Sequence, residues 1–596
     1  MPPPAPLPIV GASPVEWLAY VRTHPEAFPL LPAFLDHARL VGQSDLLVDD
    51  PASAVEIFLE NDEGEPLLEQ ATPASPAERQ RAVERARLRE AAQVFGRQVP
   101  VLAAAWRLSG DDWFADALEA TLAEMSRRLD AFAQRYPRSG LPGWTYVLQG
   151  LAQVEVYLAR GPVPQGMERF AYRFFRKDMA DAKLRLTSRA PEVWDSTDAR
   201  ALTGLLSGMI FFQEQSDTEV IRAAFQLLER FIDSLGPRGE TGGGLTRERA
   251  IGGQLLEAVA IASTQDPDLW EKPVLREMVG WWLDHLMPGR HTVNYGDTPE
   301  ASLWPRQSDS TTAALSLLAV YARSPTALWA LRTQFDSTPT GLPHLVANGL
   351  MAFSPSPAPP PFGHSKAQPL VAWRDHWDPL SNGLWVKGGR LRDKREHADR
   401  GHLSLYSQGR PVLIEAGMPE LSDPNLEKGF RPVRAHNTLQ LDDLDPIRGN
   451  APITVRRLDT DGGNIRVDNS ANYLALAVAW RDVIWDAREV LVIDALKFNL
   501  GQRGDIHFYW HLGYEDPDIQ IEQRDRRVVV ETRHATFIFE ANRPFTLGTT
   551  RYVDRTTNPF RTTWHTMLIL KATDRAATYK FRTRIQLKER SFLAEH

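Results

Sequence analysis

The sequence predicts an α+β protein with two large domains, an N-terminal helical toroid and a C-terminal antiparallel β-sandwich. With 596 residues the chain is too long for a single hydrophobic core. Apolar residues recur at three- and four-residue steps through the first half, and a proline-rich segment separates that half from one with a period of two. We expect the helical domain at 1–353, a linker at 354–366 and the sandwich at 367–596.

The first half is predicted to form helix pairs. Apolar positions within 102–108 and 113–122 favour two helices, and the residues at 109–111, Ser-Gly-Asp, end the first and cap the second. A pair of this kind can bury its apolar stripe only against its neighbours, which indicates a toroid or solenoid. The further pairs are predicted at 142–160 with 166–183, 198–213 with 218–235, 251–263 with 273–287, and 309–323 with 326–336.

The segment 354–361, Ser-Pro-Ser-Pro-Ala-Pro-Pro-Pro, marks the change of pattern. Prolines at this density exclude a helix interior and favour a stiff extended linker. Short runs of β-branched and aromatic residues follow, mostly separated by Gly, Asn or Asp, and they predict strands. The clearest runs lie at 384–386, 402–407, 412–414, 438–441, 473–480, 490–493, 506–510, 528–530 and 567–570.

Composition excludes several classes of function. The chain has no Cys, which removes disulfides, thiolate nucleophiles and Cys-ligated zinc. Its net charge of −8 does not favour nucleic acid or an anionic membrane as a partner. No apolar run reaches the ~18 residues of a membrane span, and the first residues lack a secretory signal pattern. We therefore expect a cytoplasmic protein, or a periplasmic or secreted one if a signal was removed; a homo-oligomer is compatible with the sequence.

Three residues in the second half have the chemistry of a metal site. His397, Glu415 and His436 offer two imidazoles and a carboxylate from separate strand-like segments, a set that suits a borderline cation such as zinc. Strand alternation is expected to place His397 and Asp399 on one face of the sheet. The alternative is that the histidines are surface residues paired with Asp399 and nearby backbone.

The surrounding motifs resemble those of a known family. The runs at 397–401 (His-Ala-Asp-Arg-Gly), 405–406, 416–417 and 436–438 (His-Asn-Thr) are similar to the signature of the heparinase II/III-like polysaccharide lyases and their alginate lyase relatives. The resemblance implies a toroid followed by a sandwich, β-elimination of an acidic, uronate-containing polysaccharide or oligosaccharide, and a Zn²⁺ ion. His397, Glu415 and His436 fall on the family's metal positions, where the middle residue is usually Asp.

Basic residues near this motif are candidates for contact with an acidic sugar. The segment 387–400 carries more basic than acidic side chains, opposite to the whole chain. A guanidinium binds a carboxylate in a fork geometry, which makes Arg395, Arg400 and Arg434 candidates. A solvated loop with salt bridges is the alternative. Arg395 stands where the family usually has a His, and Gly253 stands where we expect its catalytic Tyr.

Other groups could therefore carry the proton transfers. His402 is a candidate general base because imidazole titrates near neutrality, and Tyr295 lies in a segment that resembles a cleft loop of the family. We group His402 and Tyr295 with Arg395 as catalytic candidates. In the alternative reading, His402 is a strand residue satisfied by Glu415 or Asp399, and Tyr295 caps a loop.

Aromatic and polar residues of the helical half are candidates for sugar binding. Indole and phenol rings stack on sugars, and polar neighbours favour a surface position for Trp144, Tyr146 and Trp194. Asp198 and Glu248 complete this group. Trp in a helical array is more often core packing, and Asp198 is equally explained as a helix cap.

Three functions compete at this point. The first is a lyase acting by β-elimination. The second is a glycoside hydrolase on the same architecture that uses a carboxylate pair such as Glu248 and Asp297. The third is a carbohydrate-binding relative that has lost its acid and base.

Overall fold

The structure is a computed structural model, and it confirms the predicted α+β fold class. It separates into two compact units: the first comprises 1–235, 249–279 and 308–357, and the second 236–248, 280–307 and 358–596. The residues that it describes are 13–44, 46, 75–158, 163–212, 218–241, 245–293, 296, 309–334, 341–354, 356–391, 397–419, 423, 425–516, 518–524, 526–554 and 563–589.

The helices agree closely with the predicted pairs. Ser75 caps the long α3 through a capping box, Gly110 ends it with φ +70°, and Asp111 caps α4, so the predicted break is confirmed. The helices are α1 Pro14–Thr23, α2 Leu31–Gln43, α3 Pro76–Ser109, α4 Asp112–Arg135, α5 Trp144–Leu158, α6 Tyr172–Thr187, α7 Ser196–Phe211, α8 Thr218–Ser234, α9 Leu245–Ala262, α10 Pro273–Leu283, α11 Asp309–Val320, α12 Pro325–Gln334 and α13 Leu342–Phe353.

Three alternate helices of the first unit, α3, α5 and α7, lie side by side. α5 packs between α3 and α7, while α4 packs on α3 and α6 on α7. Glycines allow this close approach, because a Cβ at Gly96 would lie 2.7 Å from the carbonyl oxygen of Tyr146 and one at Gly150 would lie 3.1 Å from the Cα of Gly96. The result is a row of neighbouring helices whose polar side chains can meet.

The second unit is built from antiparallel sheets. The eight-stranded sheet has the order β14-β15-β16-β19-β12-β11-β10-β9, the others β17-β18-β13-β8, β3-β4-β5-β6-β7 and β1-β2. The strands are β1 Leu286–Met287, β2 His291–Thr292, β3 Phe362–Ser365, β4 Leu370–Arg374, β5 Gly383–Lys387, β6 Leu403–Ser407, β7 Arg410–Leu413, β8 Leu439–Leu441, β9 Ile453–Asp459, β10 Gly462–Asp468, β11 Leu476–Trp485, β12 Glu489–Phe498, β13 Ile506–His511, β14 Gln520–Arg524, β15 Arg527–Glu531, β16 Ala535–Ala541, β17 Phe545–Asp554, β18 Thr563–Ala572 and β19 Thr578–Leu587.

One hydrophobic core joins the three larger sheets. Its buried members include Leu384 of the five-stranded sheet, Phe508 of the four-stranded sheet, and Val492 and Phe537 of the eight-stranded sheet. A bridge between Leu413 and Leu512 links the two smaller sheets. This is the predicted sandwich, with alternate residues of β11 and β12 turned inward.

Two local predictions differ from the structure. The helix predicted for 273–287 ends at Leu283, and the chain then turns and forms the short strands β1 and β2, which Pro288 and Gly289 (φ +75°) connect. The strand alternation predicted through His397 and Asp399 is wrong, because 397–402 form bends and turns and β6 begins at Leu403. No helix in the described part of the chain combines the length and the apolar character needed to cross a membrane.

We expect Phe508→Ala to destabilise the sandwich by about 3–5 kcal/mol, because it leaves a cavity in a core position that is 1% exposed. Urea unfolding followed by fluorescence measures the change. The matched control is Leu500→Ala at a fully exposed leucine, which should shift stability by less than about 0.5 kcal/mol. Equal unfolding midpoints for the two variants would contradict this account of the core.

Candidate metal centre

Three short segments of the second unit bring together His397, Glu415 and His436. His397 precedes β6, Glu415 lies two residues after β7, and His436 follows the 3₁₀ turn Val433–Ala435. Each is at most 3% exposed, and the three offered ligand atoms lie within 4.8 Å of one another. The predicted convergence of two imidazoles and a glutamate is therefore present in the structure.

The distances within this cluster suit a metal ion. Oε1 of Glu415 lies 3.4 Å from Nδ1 of His397 and 3.5 Å from Nδ1 of His436. Tetrahedral ligand atoms at about 2.1 Å from a cation are themselves about 3.4 Å apart. Among the described residues, neither ring nitrogen of His436 has a hydrogen-bond partner. Buried polar atoms are costly when unsatisfied, and a bound cation would satisfy them.

Burial also controls protonation in the cluster. It raises the pKa of Glu415 to about 7 and lowers that of His436 well below its usual range, the latter leaving a neutral imidazole with lone pairs to donate. Burial by itself would raise the pKa of Asp399, but the Lys387 ammonium, together with His436 and His397, outweighs burial, so the pKa is lowered and the carboxyl stays ionised. Lys387 Nζ donates to Asp399 Oδ1 at 2.6 Å, with both side chains buried.

The amide of Asn437 connects the segments that carry the three ligands. Its Nδ2 donates to the carbonyls of Leu403 and Ile414, each at 2.8 Å, and its Oδ1 accepts from the backbone N–H of His511 at 2.6 Å. Ile414 adjoins Glu415, and Asn437 itself adjoins His436. One buried side chain thus sets the spacing of the ligand-bearing segments.

A buried ion pair reinforces the same junction. Arg481 binds Asp494 at 2.7 Å and 3.1 Å, and its remaining nitrogen donates to the carbonyls of Gly401 and Asn437 at 2.7 and 2.6 Å. Arg481 and Asp494 face each other directly across β11 and β12. All three nitrogens of the guanidinium donate hydrogen bonds, which offsets the cost of burying it.

His402 lies beside the cluster, with its ring 6.0 Å from that of His436. Its Nδ1 accepts from the backbone N–H of Asn437 at 3.1 Å, so its Nε2 carries the proton and donates to Ser404 Oγ at 2.9 Å. Burial lowers the pKa of His402 to about 3. The imidazole is thus a neutral, fully engaged side chain that orders the loop.

The basic residues predicted to contact an acidic sugar differ in their exposure to solvent. Arg400 is 4% exposed and donates to the carbonyl of Arg390, so it is a buried rather than a solvated residue. Arg434 is exposed and donates to the carbonyl of Lys428. Arg395 and the catalytic candidate Tyr295 lie outside the described residues.

The sugar-binding candidates of the first unit differ in how deeply they are buried. Tyr146 is half-buried, whereas Trp194 is 4% exposed and packs on Phe231. Half-buried Trp144 lies where a Cβ at Gly204 would touch its ring, so it fills the α5–α7 contact.

Asp198 is fully buried at the start of α7. Its two oxygens accept from Arg185 at 2.6 Å and Arg189 at 2.7 Å, and it completes the capping box of Asp195. These contacts agree with the alternative interpretation of Asp198 as a helix-capping residue. The side chain of Glu248 and the whole of Asp297 lie outside the described residues.

Sequence reasoning missed Asn437, Lys387 and Arg481 as site residues. A signal existed for Arg481, because it occupies an inward position of β11 between Ala479 and Val483, and Asp494 occupies one on the next strand. Two opposite charges in the apolar phase of neighbouring strands indicate a buried pair. Asn437 lies in an irregular segment without periodicity, and its only sequence signal is its place in the His-Asn-Thr run at 436–438.

Comparison with known proteins finds a family match over part of the second unit. Residues 371–583 match the family described as heparinase II/III-like, C-terminal, a range that contains all three cluster residues. No curated protein is a detectable sequence relative of the chain.

Solved structures share the whole fold at low sequence identity. The heparan sulfate lyase of Pedobacter heparinus is 14% identical with a TM-score of 0.61, over 97% of this chain and 91% of that one. The chondroitin AC lyase of Streptomyces coelicolor, in complex with chondroitin sulphate, is 12% identical with a TM-score of 0.51, over 94% and 83%. The resemblance in the sequence is therefore confirmed, and the chain carries a heparinase II/III-like C-terminal domain at residues 371–583 on the fold of the heparan sulfate and chondroitin lyases.

Proposed function

We propose that this protein is a polysaccharide lyase that cleaves a uronate-containing polysaccharide or oligosaccharide by β-elimination. The observation that supports this most is the shared fold over nearly the full chain with lyases of acidic polysaccharides. A fold alone hosts many functions, so the proposal also draws on the chemistry of the second unit.

The proposal includes a zinc ion held by His397, Glu415 and His436. Support comes from the buried N, O, N donor set, with its 3.4 and 3.5 Å spacings. Bound there, Zn²⁺ would supply positive charge against the glutamate and cross-link three segments of the sandwich. Full burial of the ligands favours this structural role over direct contact with a polymer.

β-Elimination needs a group that neutralises the uronate carboxylate, a base for the C5 proton, and an acid for the leaving oxygen. Arg395 remains our candidate for the first task and Tyr295 for proton transfer. His402 remains in the catalytic proposal, although its two hydrogen bonds support a positioning role more strongly. Arg400, Arg434 and the aromatic residues of the first unit stay proposals for substrate binding.

Incubation with a panel of uronans should release products with the ultraviolet absorbance of a 4,5-unsaturated uronate. Tyr295→Phe and Arg395→Ala should each lower turnover by about 100-fold or more, the usual share of general acid–base or charge stabilisation. Tyr20→Phe, on α1, should leave turnover unchanged. Reducing ends without that absorbance would identify a hydrolase instead, and no cleavage of any uronan would leave a binding protein.

We expect purified protein to contain about one zinc per chain by elemental analysis, as a three-residue donor set holds one ion. Glu415→Gln and His436→Ala should remove most of that metal, because each deletes a ligand from a buried site. His376→Ala provides the control, since this exposed histidine lies outside the cluster in the same unit. Unchanged metal content in both cluster variants would reject the assignment.

Asn437→Asp tests whether the amide positions the ligands. The change keeps the acceptor used by His511 but removes the two donors to Leu403 and Ile414, and it buries a charge. Zinc affinity in a chelator competition should fall about 10–100-fold, the usual effect of losing a supporting hydrogen bond. Asn464→Asp, at a partly exposed strand position, should not alter affinity; equal affinities for the two variants would exclude the positioning role.

A further inference from the structure

Three connecting loops of the second unit meet at one end of the sandwich. They are 442–452 between β8 and β9, 469–475 between β10 and β11, and 499–505 between β12 and β13. Strands β8 and β13 belong to the four-stranded sheet and strands β9 to β12 to the eight-stranded sheet, so the loops connect both layers.

Hydrogen bonds tie these loops to one another. The backbone N–H of Ile447 donates to the carbonyl of Asn472 at 3.0 Å, which joins the first loop to the second. The side-chain amide of Asn499 donates to the carbonyl of Leu474 at 2.9 Å, which joins the second loop to the third. The loops therefore form one ordered surface.

A tight turn at Asp442 and Asp443 joins the first loop to the third. Both residues have left-handed backbone, with φ +54° and +55°, and the N–H of Leu444 donates to the carbonyl of Leu441 at 3.0 Å. The N–H of Asp442 donates to the carbonyl of Asp505 at 2.9 Å, and the N–H of Asp505 donates to Asp442 Oδ1 at 2.8 Å. These contacts fix the position from which Leu444 projects.

Four aliphatic side chains on these loops are exposed to solvent. The exposed fraction is 67% for Leu444, 44% for Ile447 and 79% for Leu474, and Leu500 is fully exposed. Together they present on the order of 400 Å² of aliphatic surface, and an apolar patch of that size on a folded protein marks an interaction site more often than chance. We call these four residues the loop patch.

The charges around the loop patch are of both signs. The side chain of Asp443 is 81% exposed, and in the described part of the chain its ion-pair partner is His507, whose Nδ1 lies 3.4 Å from Oδ1. Burial lowers the pKa of His507, so the imidazole is neutral near pH 7 and leaves the carboxylate uncompensated. The exposed Arg448 and Arg503 form no ion pair among the described residues.

This combination is self-complementary. A contact about a two-fold axis places the same surface on both sides, so aliphatic side chains meet aliphatic side chains, and Asp443 of one copy can face Arg448 or Arg503 of the other. Two loop patches bury on the order of 800 Å² of aliphatic surface, and their polar rim brings the total above the ~1,000 Å² that a specific interface needs. An anionic lipid surface would instead bring phosphates against Asp443.

We propose that the loop patch is the contact surface of a homodimer with two-fold symmetry. The contact area lies at the low end for specific interfaces, so the association is weak, with a Kd in the micromolar range. In more dilute solution the chain is a monomer, and substitutions in the loop patch then leave its unfolding unchanged. The dimer does not depend on the proposed reaction.

Sedimentation velocity of the full chain at about 1 to 100 μM measures this association. The wild type should change from monomer to dimer over that range. Leu444→Asp and Leu474→Asp should each weaken the dimer about 10-fold or more, because each places a charge in the apolar centre of the contact. Leu184→Asp on α6, where the leucine is 68% exposed, is the matched control and should associate as the wild type does.

A charge exchange tests the complementarity. The double variant Arg448→Glu with Arg503→Glu should not self-associate, because Asp443 of the other copy then faces like charges. Asp443→Lys should fail alone for the same reason. An equimolar mixture of the two variants should recover the dimer, because each then offers the charge that the other lacks.

Circular dichroism checks that each variant is folded. A wild type that stays monomeric at 100 μM, or a dimer that tolerates both leucine substitutions, overturns the proposal. A monomeric wild type that binds vesicles of anionic phospholipid, with binding lost in the same leucine variants, would assign the loop patch to a lipid surface and reject the dimer.

Discussion

The arrangement of the second unit depends on the buried amide of Asn437. Two donors and one acceptor on this side chain hold the backbone of Leu403, Ile414 and His511 within hydrogen-bond distance. Because ligands before β6, after β7 and before β8 come from irregular backbone, sheet pairing does not fix their separation. The amide of Asn437 fixes it together with Arg481 and the backbone hydrogen bond from Ala416 to the Ala435 carbonyl at 3.2 Å, and these contacts bring the two histidines and the glutamate into one donor set.

Buried charge is the second constraint on this region. Lys387 with Asp399 and Arg481 with Asp494 are two ion pairs inside a β-sandwich, where a single unpaired charge would cost several kcal/mol. Each charge is paired, and Arg481 also satisfies two carbonyls at the junction with Asn437. The buried charges of the sandwich therefore have defined partners, just as the apolar side chains have defined packing neighbours.

Buried polar atoms without a hydrogen-bond partner are a third feature of this region. Both ring nitrogens of His436 lack such a partner among the described residues and lie beside the Glu415 carboxylate. A donor set of this kind suits a cation, because lone pairs and a carboxylate face the same point.

Periodicity in the sequence determined the helices of the first half, the strands of the second and the fold class, because amphipathic spacing follows directly from burying one face of each element. The motif residues also identified His397, Glu415 and His436. Only the tertiary structure decided that His402 is a neutral buried residue, that Arg400 is not solvated, and that Asn437 joins the segments. Those properties depend on which distant atoms meet in irregular backbone, where no repeating pattern in the chain reports the contact.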